Sequence, residues 1–236
     1  MHPDIHQMRH FYGRSLGRSV SDLLGGHVAD LWSDARDLLV LGIGYAPPVL
    51  EPLAALGANT LAAMPARQGV CHWPRMADNR SLLVDVARLP FDDSAVDRVV
   101  LLHALEHARR PAIWLREIWR VLAPGGQVLV AVPNRRRTWS AIETTPFGHG
   151  HPYSRAQLMA LMRDQLLPPD YWDTALMLPP VHWPGVRRTA ALVERPVHML
   201  GRGLGGVLLV RAHKQVYGAI ESPAKAPHGV RMATRP

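Results

Sequence analysis

The stretch that decides the fold is Leu89-Pro-Phe-Asp-Asp-Ser-Ala-Val-Asp-Arg-Val-Val-Leu-Leu-His-Ala-Leu-Glu-His107, with its continuation Leu115-Arg-Glu-Ile-Trp-Arg-Val-Leu-Ala-Pro-Gly-Gly-Gln-Val-Leu-Val-Ala-Val-Pro133. Behind the acidic turn, Val96 and Val99 begin a short apolar run of the kind found in a strand buried on both faces. From Pro111 the period changes. Trp114, Ile118, Val121 and Leu122 recur at helical spacing, with Arg116, Glu117 and Arg120 on the other face. Pro111 suits the first helical turn, where its missing N–H has no partner in any case. Pro124-Gly125-Gly126 ends the helix, and 128–132 is another apolar strand run. Strand, helix and strand joined by short links predict a right-handed parallel crossover.

Outward from this core the same α/β alternation continues. Residues 37–41 read as the first strand, with Gly42-Ile43-Gly44 as its turn; Pro47-Pro48 opens a helix that stops at Gly57. Residues 59–63 and 82–86 read as strands two and three. Residues 11–31 predict one or two amphipathic helices with a break at Gly25-Gly26. Ser154, with Gln157 three positions on, is a capping box opening a further helix. Residues 174–178 read as strand six and 206–213 as the last strand. The interval 181–199 is punctuated by Pro and Arg, with helix in its second part. Residues 222–236 read as a disordered tail. The expected organisation is an N-terminal helical cap over 1–36, one α/β domain over 37–221 and the tail.

Composition narrows the class. The chain has 236 residues, 47% of them hydrophobic, enough for one buried core. No apolar stretch approaches the roughly 20 residues of a membrane span. The first ten residues lack a signal-peptide core, and a single cysteine, Cys71, excludes an internal disulfide framework. A cytoplasmic protein is expected. The charge is +8, from 27 Lys+Arg against 19 Asp+Glu. That balance favours anionic partners in general. Yet the basic residues are scattered, and the densest run, Arg135-Arg136-Arg137, has no nucleic-acid-binding motif around it, so nucleic acid is disfavoured as a partner. Nothing in the sequence sets an oligomeric state.

The segment 89–133 resembles the middle of the class I S-adenosylmethionine (SAM)-dependent methyltransferases, of the type 11 kind. In that family an acidic turn leads into strand four, a Glu-His helix start follows, and Pro-Gly-Gly opens strand five. The resemblance implies a Rossmann-like seven-stranded sheet with an antiparallel last strand, SAM as cofactor, and methyl transfer to an unidentified small molecule. It places Gly42 and Gly44 at the cofactor turn, with Tyr45 beside them. Asp85 stands where the family's acid accepts the adenine amino group, and Val86 where a backbone donor meets the ring. The match is degenerate. Val40 and Ala46 depart from the glycine motif, and Met64 falls where a ribose-binding carboxylate is usual. A methyltransferase-like binding or scaffold protein that has lost SAM is therefore the alternative.

His103, Glu106 and His107 follow strand four at i, i+3, i+4, on one helical face. Glu-His here is a family signature, so no metal site is assigned. His103 sits at the carboxyl end of a strand, where open α/β sheets place ligands, and is the candidate general base; it reads equally well as a satisfied histidine at a helix start. Asn134, His149, His151 and Tyr153 are the candidate walls of a substrate pocket, each with an equal claim to a purely structural role.

Overall fold

The computed structural model describes residues 3–135, 137–177 and 205–216. Its centre is one seven-stranded sheet built from β1 (Leu39–Gly44), β2 (Asn59–Pro65), β3 (Ser81–Val84), β4 (Val96–Leu102), β5 (Leu122–Pro133), β6 (Pro169–Ala175) and β7 (Val207–His213). The strand order is β3-β2-β1-β4-β5-β7-β6. The pairs among β1 to β5 are parallel, Leu41 lying opposite Val99. The last strand, β7, runs antiparallel to both β5 and β6. This is the expected Rossmann-like sheet. Its central strands are buried on both faces, which is why they read as unbroken apolar runs rather than alternating ones.

Helices α1 (Ile5–Gly13), α2 (Ser15–Leu31) and α3 (Pro47–Ala55) cover one face, and α4 (Pro111–Val121) and α5 (Arg155–Asp164) the other. A capping box of Asp4 and Gln7 starts α1, and the expected Ser154–Gln157 box starts α5. No helix of the described residues is long and apolar enough to cross a membrane.

Three local expectations are corrected. The break between the N-terminal helices falls at extended Arg14, and Gly25-Gly26 lies inside α2. A Cβ on Gly25 would stand 2.7 Å from the Pro48 carbonyl oxygen, so this glycine lets α2 approach α3. The sixth strand begins at Pro169, ahead of the expected 174–178. The first strand runs on through Gly44, which carries the turn beyond both motif glycines. The segment 181–199 and the tail 222–236 lie outside the described residues.

The loop between β3 and β4 is tied to α4 by one side chain. Arg120 donates to both carboxylate oxygens of Glu117, to Asp93, and to the carbonyls of Leu89 and Phe91. The Arg120 hydrogen bond, helped by Leu89 N–H, holds the Glu117 carboxyl below the ordinary range despite its partial burial. This anchoring holds residues 89–93, downstream of Asp85, against α4.

Candidate functional site

The carboxyl ends of β1, β2 and β4 meet at one edge of the sheet, the crevice where open α/β folds bind ligands. Gly44 ends β1 with φ of 91°, and a Cβ there would overlap the Leu102 carbonyl oxygen. A Cβ on Gly42 would meet Ala46 and Leu50 of the following helix. Close approach of β1 to β4 and of β1 to α3 therefore already accounts for both glycines.

Directly beyond Leu102, His103 takes a positive φ of 52° and turns inward, 1% exposed. Its Nε2 lies 2.7 Å from the Tyr12 hydroxyl, and its Nδ1 stands 3.6 Å from Glu106 Oε1. Phe147 packs on the imidazole at 4.5 Å between centroids, and Tyr45 stacks on Tyr12 at 5.2 Å. Burial, followed by the charges of Tyr45 and Glu106, raises the Tyr12 phenol well above its usual range. Burial likewise opposes ionisation of Glu106. The contact with His103 and the neighbouring imidazole of His107 outweigh it, so the carboxyl lies below the ordinary range. Tyr12, His103 and Glu106 form a buried row of polar groups in which the imidazole lies between a hydroxyl bonded to Nε2 and a carboxylate that Nδ1 approaches without a hydrogen bond.

Gln68, 1% exposed, spans the same crevice from the end of β2 and donates from Nε2 to the His103 carbonyl at 3.2 Å. Met64 is fully buried, its sulfur accepting the Cys71 N–H at 3.4 Å. Two larger cavities open nearby. One, of about 560 Å³, lies between Pro65–Arg67 at the end of β2, Val84–Ala87 after β3, and the start of α4 at Arg109, Ile113 and Trp114. Asp85, an exposed residue, stands on its wall, with Oδ1 accepting the Ala87 N–H. The other, of about 550 Å³, lies against α1, α2 and the Tyr45 turn.

A methyltransferase domain family model matches residues 39–130. A probable S-adenosylmethionine-dependent methyltransferase of Mycolicibacterium smegmatis is 39% identical over 83 residues, 35% of this chain and 31% of that protein. One of Mycobacterium tuberculosis is 31% identical over 121 residues, 50% of this chain and 42% of that protein. The central part of the chain, residues 39–130, is thus similar to the methyltransferase domain family. The chain spans less than half the length of these two curated relatives. The fold is shared with a solved complex of the Haloferax volcanii Trm112 methyltransferase activator and a methyltransferase, at 19% identity and a TM-score of 0.63, covering 90% of this chain and 99% of that one.

For this methyltransferase domain the family's cofactor has two halves to accommodate, adenosine and methionine. The adenosine half fits the Asp85 cavity, which offers a carboxylate and apolar walls from Pro65, Val84 and Ile113. On the methionine side, the turn after β1 borders the second cavity, lined by Tyr12, Tyr45, Pro47, Pro48 and Cys71. Tyr12, Tyr45, Gln68 and His103 are buried at this edge, and Pro47 and Pro48 remove two N–H donors from the first turn of α3. At the ribose position Met64 offers only a buried thioether.

Of the remaining sequence candidates, Asn134, His151 and Tyr153 lie together beside Leu105 and Glu106, and His149 lines a separate cavity. Asn134 donates its side-chain amide to Gly205 and pairs as a bridge with Tyr153. Tyr153 is buried, its hydroxyl 3.5 Å from the Leu105 carbonyl, and burial pushes its phenol up to about 12. His151 is exposed and bonded through its N–H to Glu106 O. His149 lines a smaller cavity of about 200 Å³ with Phe11, Arg14 and Thr145. Tyr12 and Gln68 were not among the sequence candidates. Tyr12 lies 91 residues from His103, and no local pattern signals that contact.

Proposed function

We propose that the chain is a cytoplasmic SAM-dependent methyltransferase acting on a small molecule, with the adenosine of its cofactor bound between the ends of β2 and β3 and the start of α4. The observation that carries this reading is the Asp85 cavity within a methyltransferase domain: a volume suited to a small ligand, with the Asp85 carboxylate on its wall at the end of β3. Asp85 accepts the adenine amino group, and the Val86 backbone meets the ring edge. Gly42, Gly44 and Tyr45 form the turn under the cofactor, and Met64 packs behind it. The cofactor supplies an electrophilic methyl group on sulfur.

In this reading His103 is the base, acting through Nε2, with Glu106 orienting its ring from the other side. An acceptor hydroxyl takes the place now held by the Tyr12 hydroxyl, so α1 and Gln68 withdraw when cofactor and acceptor enter. Asn134, His149, His151 and Tyr153 border the acceptor side.

The two prolines opening α3 and the buried Met64 thioether favour one second reading, a methyltransferase-like binding protein without catalysis. Mass spectrometry of the purified, then denatured, protein separates the two. Release of SAM or its demethylated product, S-adenosylhomocysteine, supports the enzyme. A protein that releases neither and whose presence changes no methylated metabolite in cells supports the binding module.

A further inference from the structure

The Tyr12 side chain already sits against the candidate base as an aromatic acceptor would. Its hydroxyl lies 2.7 Å from His103 Nε2, its ring stacks on Tyr45 at 5.2 Å with 24° between the planes, and Phe11 meets its edge at 5.0 Å. Burial holds the phenol well above its usual range, so the hydroxyl keeps its proton and donates it to the imidazole. The Glu106 carboxylate, 3.6 Å from Nδ1, favours the tautomer protonated on Nδ1 and leaves Nε2 to accept. Tyr12 is 8% exposed and lines the 550 Å³ cavity, whereas His103 is 1% exposed and does not. From that side one tyrosine ring screens the imidazole.

The surroundings are aromatic as well as polar. Two of the chain's three phenylalanines, Phe11 and Phe147, gather here, with Phe147 against the imidazole at 4.5 Å and Trp139 edge-on to Phe147 at 5.5 Å. Tyr45, His103 and Phe147 belong to the turn after β1, the end of β4 and the loop ahead of α5, so they remain when α1 withdraws. The slot left behind is the size of one phenol ring, flanked by Tyr45 and ending at Nε2.

Resting on the methyltransferase reading above, we propose that the methyl acceptor is a phenol, an aryl hydroxyl compound that takes the place of the Tyr12 side chain. Its flat ring stacks on Tyr45 as the Tyr12 ring does. Its hydroxyl suits the base as well. A phenol ionises near about 10, within reach of an imidazole, while an aliphatic alcohol is far less acidic. The acceptor's O–H proton passes to His103 Nε2, and its oxygen forms a bond to the methyl carbon supplied by SAM. The electron pair of the broken carbon–sulfur bond leaves with S-adenosylhomocysteine.

The test uses the full chain with S-adenosylhomocysteine in excess, titrated calorimetrically with p-cresol and separately with toluene. These are the tyrosine ring with and without its hydroxyl. p-Cresol is expected to bind saturably and toluene more weakly. Tyr12→Phe removes the internal hydrogen bond that the ligand must displace, so it should bind p-cresol about two- to tenfold more tightly than the parent. His103→Gln should lose the preference for p-cresol over toluene. Supplied with SAM, the parent should convert p-cresol to its methyl ether, seen by mass spectrometry, and leave methylcyclohexanol, the saturated alcohol of similar shape, unmethylated. The proposal is overturned if S-adenosylhomocysteine binds but p-cresol neither binds nor gains a methyl group. It is equally overturned if Tyr12→Phe binds p-cresol no more tightly, if His103→Gln keeps the preference, or if the saturated alcohol reacts as fast as the phenol. Failure of S-adenosylhomocysteine itself to bind removes the methyltransferase reading, and this proposal with it.

Discussion

Gly44→Val yields no stably folded protein. The residue holds φ of 91°, a conformation that a β-branched side chain does not tolerate, and its Cβ would overlap the Leu102 carbonyl oxygen. Backbone strain of about 1–3 kcal/mol and overpacking of about 1–3 kcal/mol act together on a domain whose whole stability is about 5–15 kcal/mol. The Ala104 Cβ at 2.8 Å and the His103 carbonyl at 2.9 Å leave no direction for relief. Soluble yield and the denaturant midpoint report the effect. Gly44→Ala, with the same backbone demand and less bulk, should fall between. A valine variant within about 1 kcal/mol of the parent would show that β1 and β4 do not close as tightly as described.

Met64→Asp is the second large loss. At the sequence level, an acid at this position restores the family's usual ribose acceptor. The packing predicts the opposite result, because Met64 is fully buried and its sulfur receives the Cys71 N–H. An unpaired carboxylate there should cost about 3–5 kcal/mol, while Met64→Leu, which keeps the volume, should cost less than about 1.5 kcal/mol. Thermal or denaturant unfolding of the two variants measures the difference. If Met64→Asp is as stable as the parent and binds S-adenosylhomocysteine more tightly, the side chain faces the cofactor after all.

The parts of the fold that were legible are those encoded by local period. Apolar runs marked β4 and β5, and 3.6-residue spacing marked α4, because each buries its pattern against immediate neighbours. Gly25-Gly26 misled, because composition cannot show that Gly25 is needed where α2 meets the Pro48 carbonyl. The sixth strand was misjudged because it is an edge strand whose early residues, Asp170 to Trp172, mix polar and aromatic side chains, leaving no clean apolar run before 174. Gly44 and Asp85 were legible as residues at the ends of β1 and β3, and Gly42 as a glycine of the same strand as Gly44. The Tyr12–His103 and Gln68–His103 contacts were not. They join positions 91 and 35 residues apart, and such pairings are decided by the tertiary fold rather than by any motif.

The most direct measurement is calorimetric titration of the protein and of Asp85→Ala with S-adenosylhomocysteine. The account predicts saturable one-to-one binding to the parent and at least about tenfold weaker binding to the variant, the loss of one charge-assisted hydrogen bond of about 1.5–3 kcal/mol. Absence of binding at about 1 mM, where only affinities weaker than roughly −4 kcal/mol escape detection, would contradict it, as would equal affinity for parent and variant.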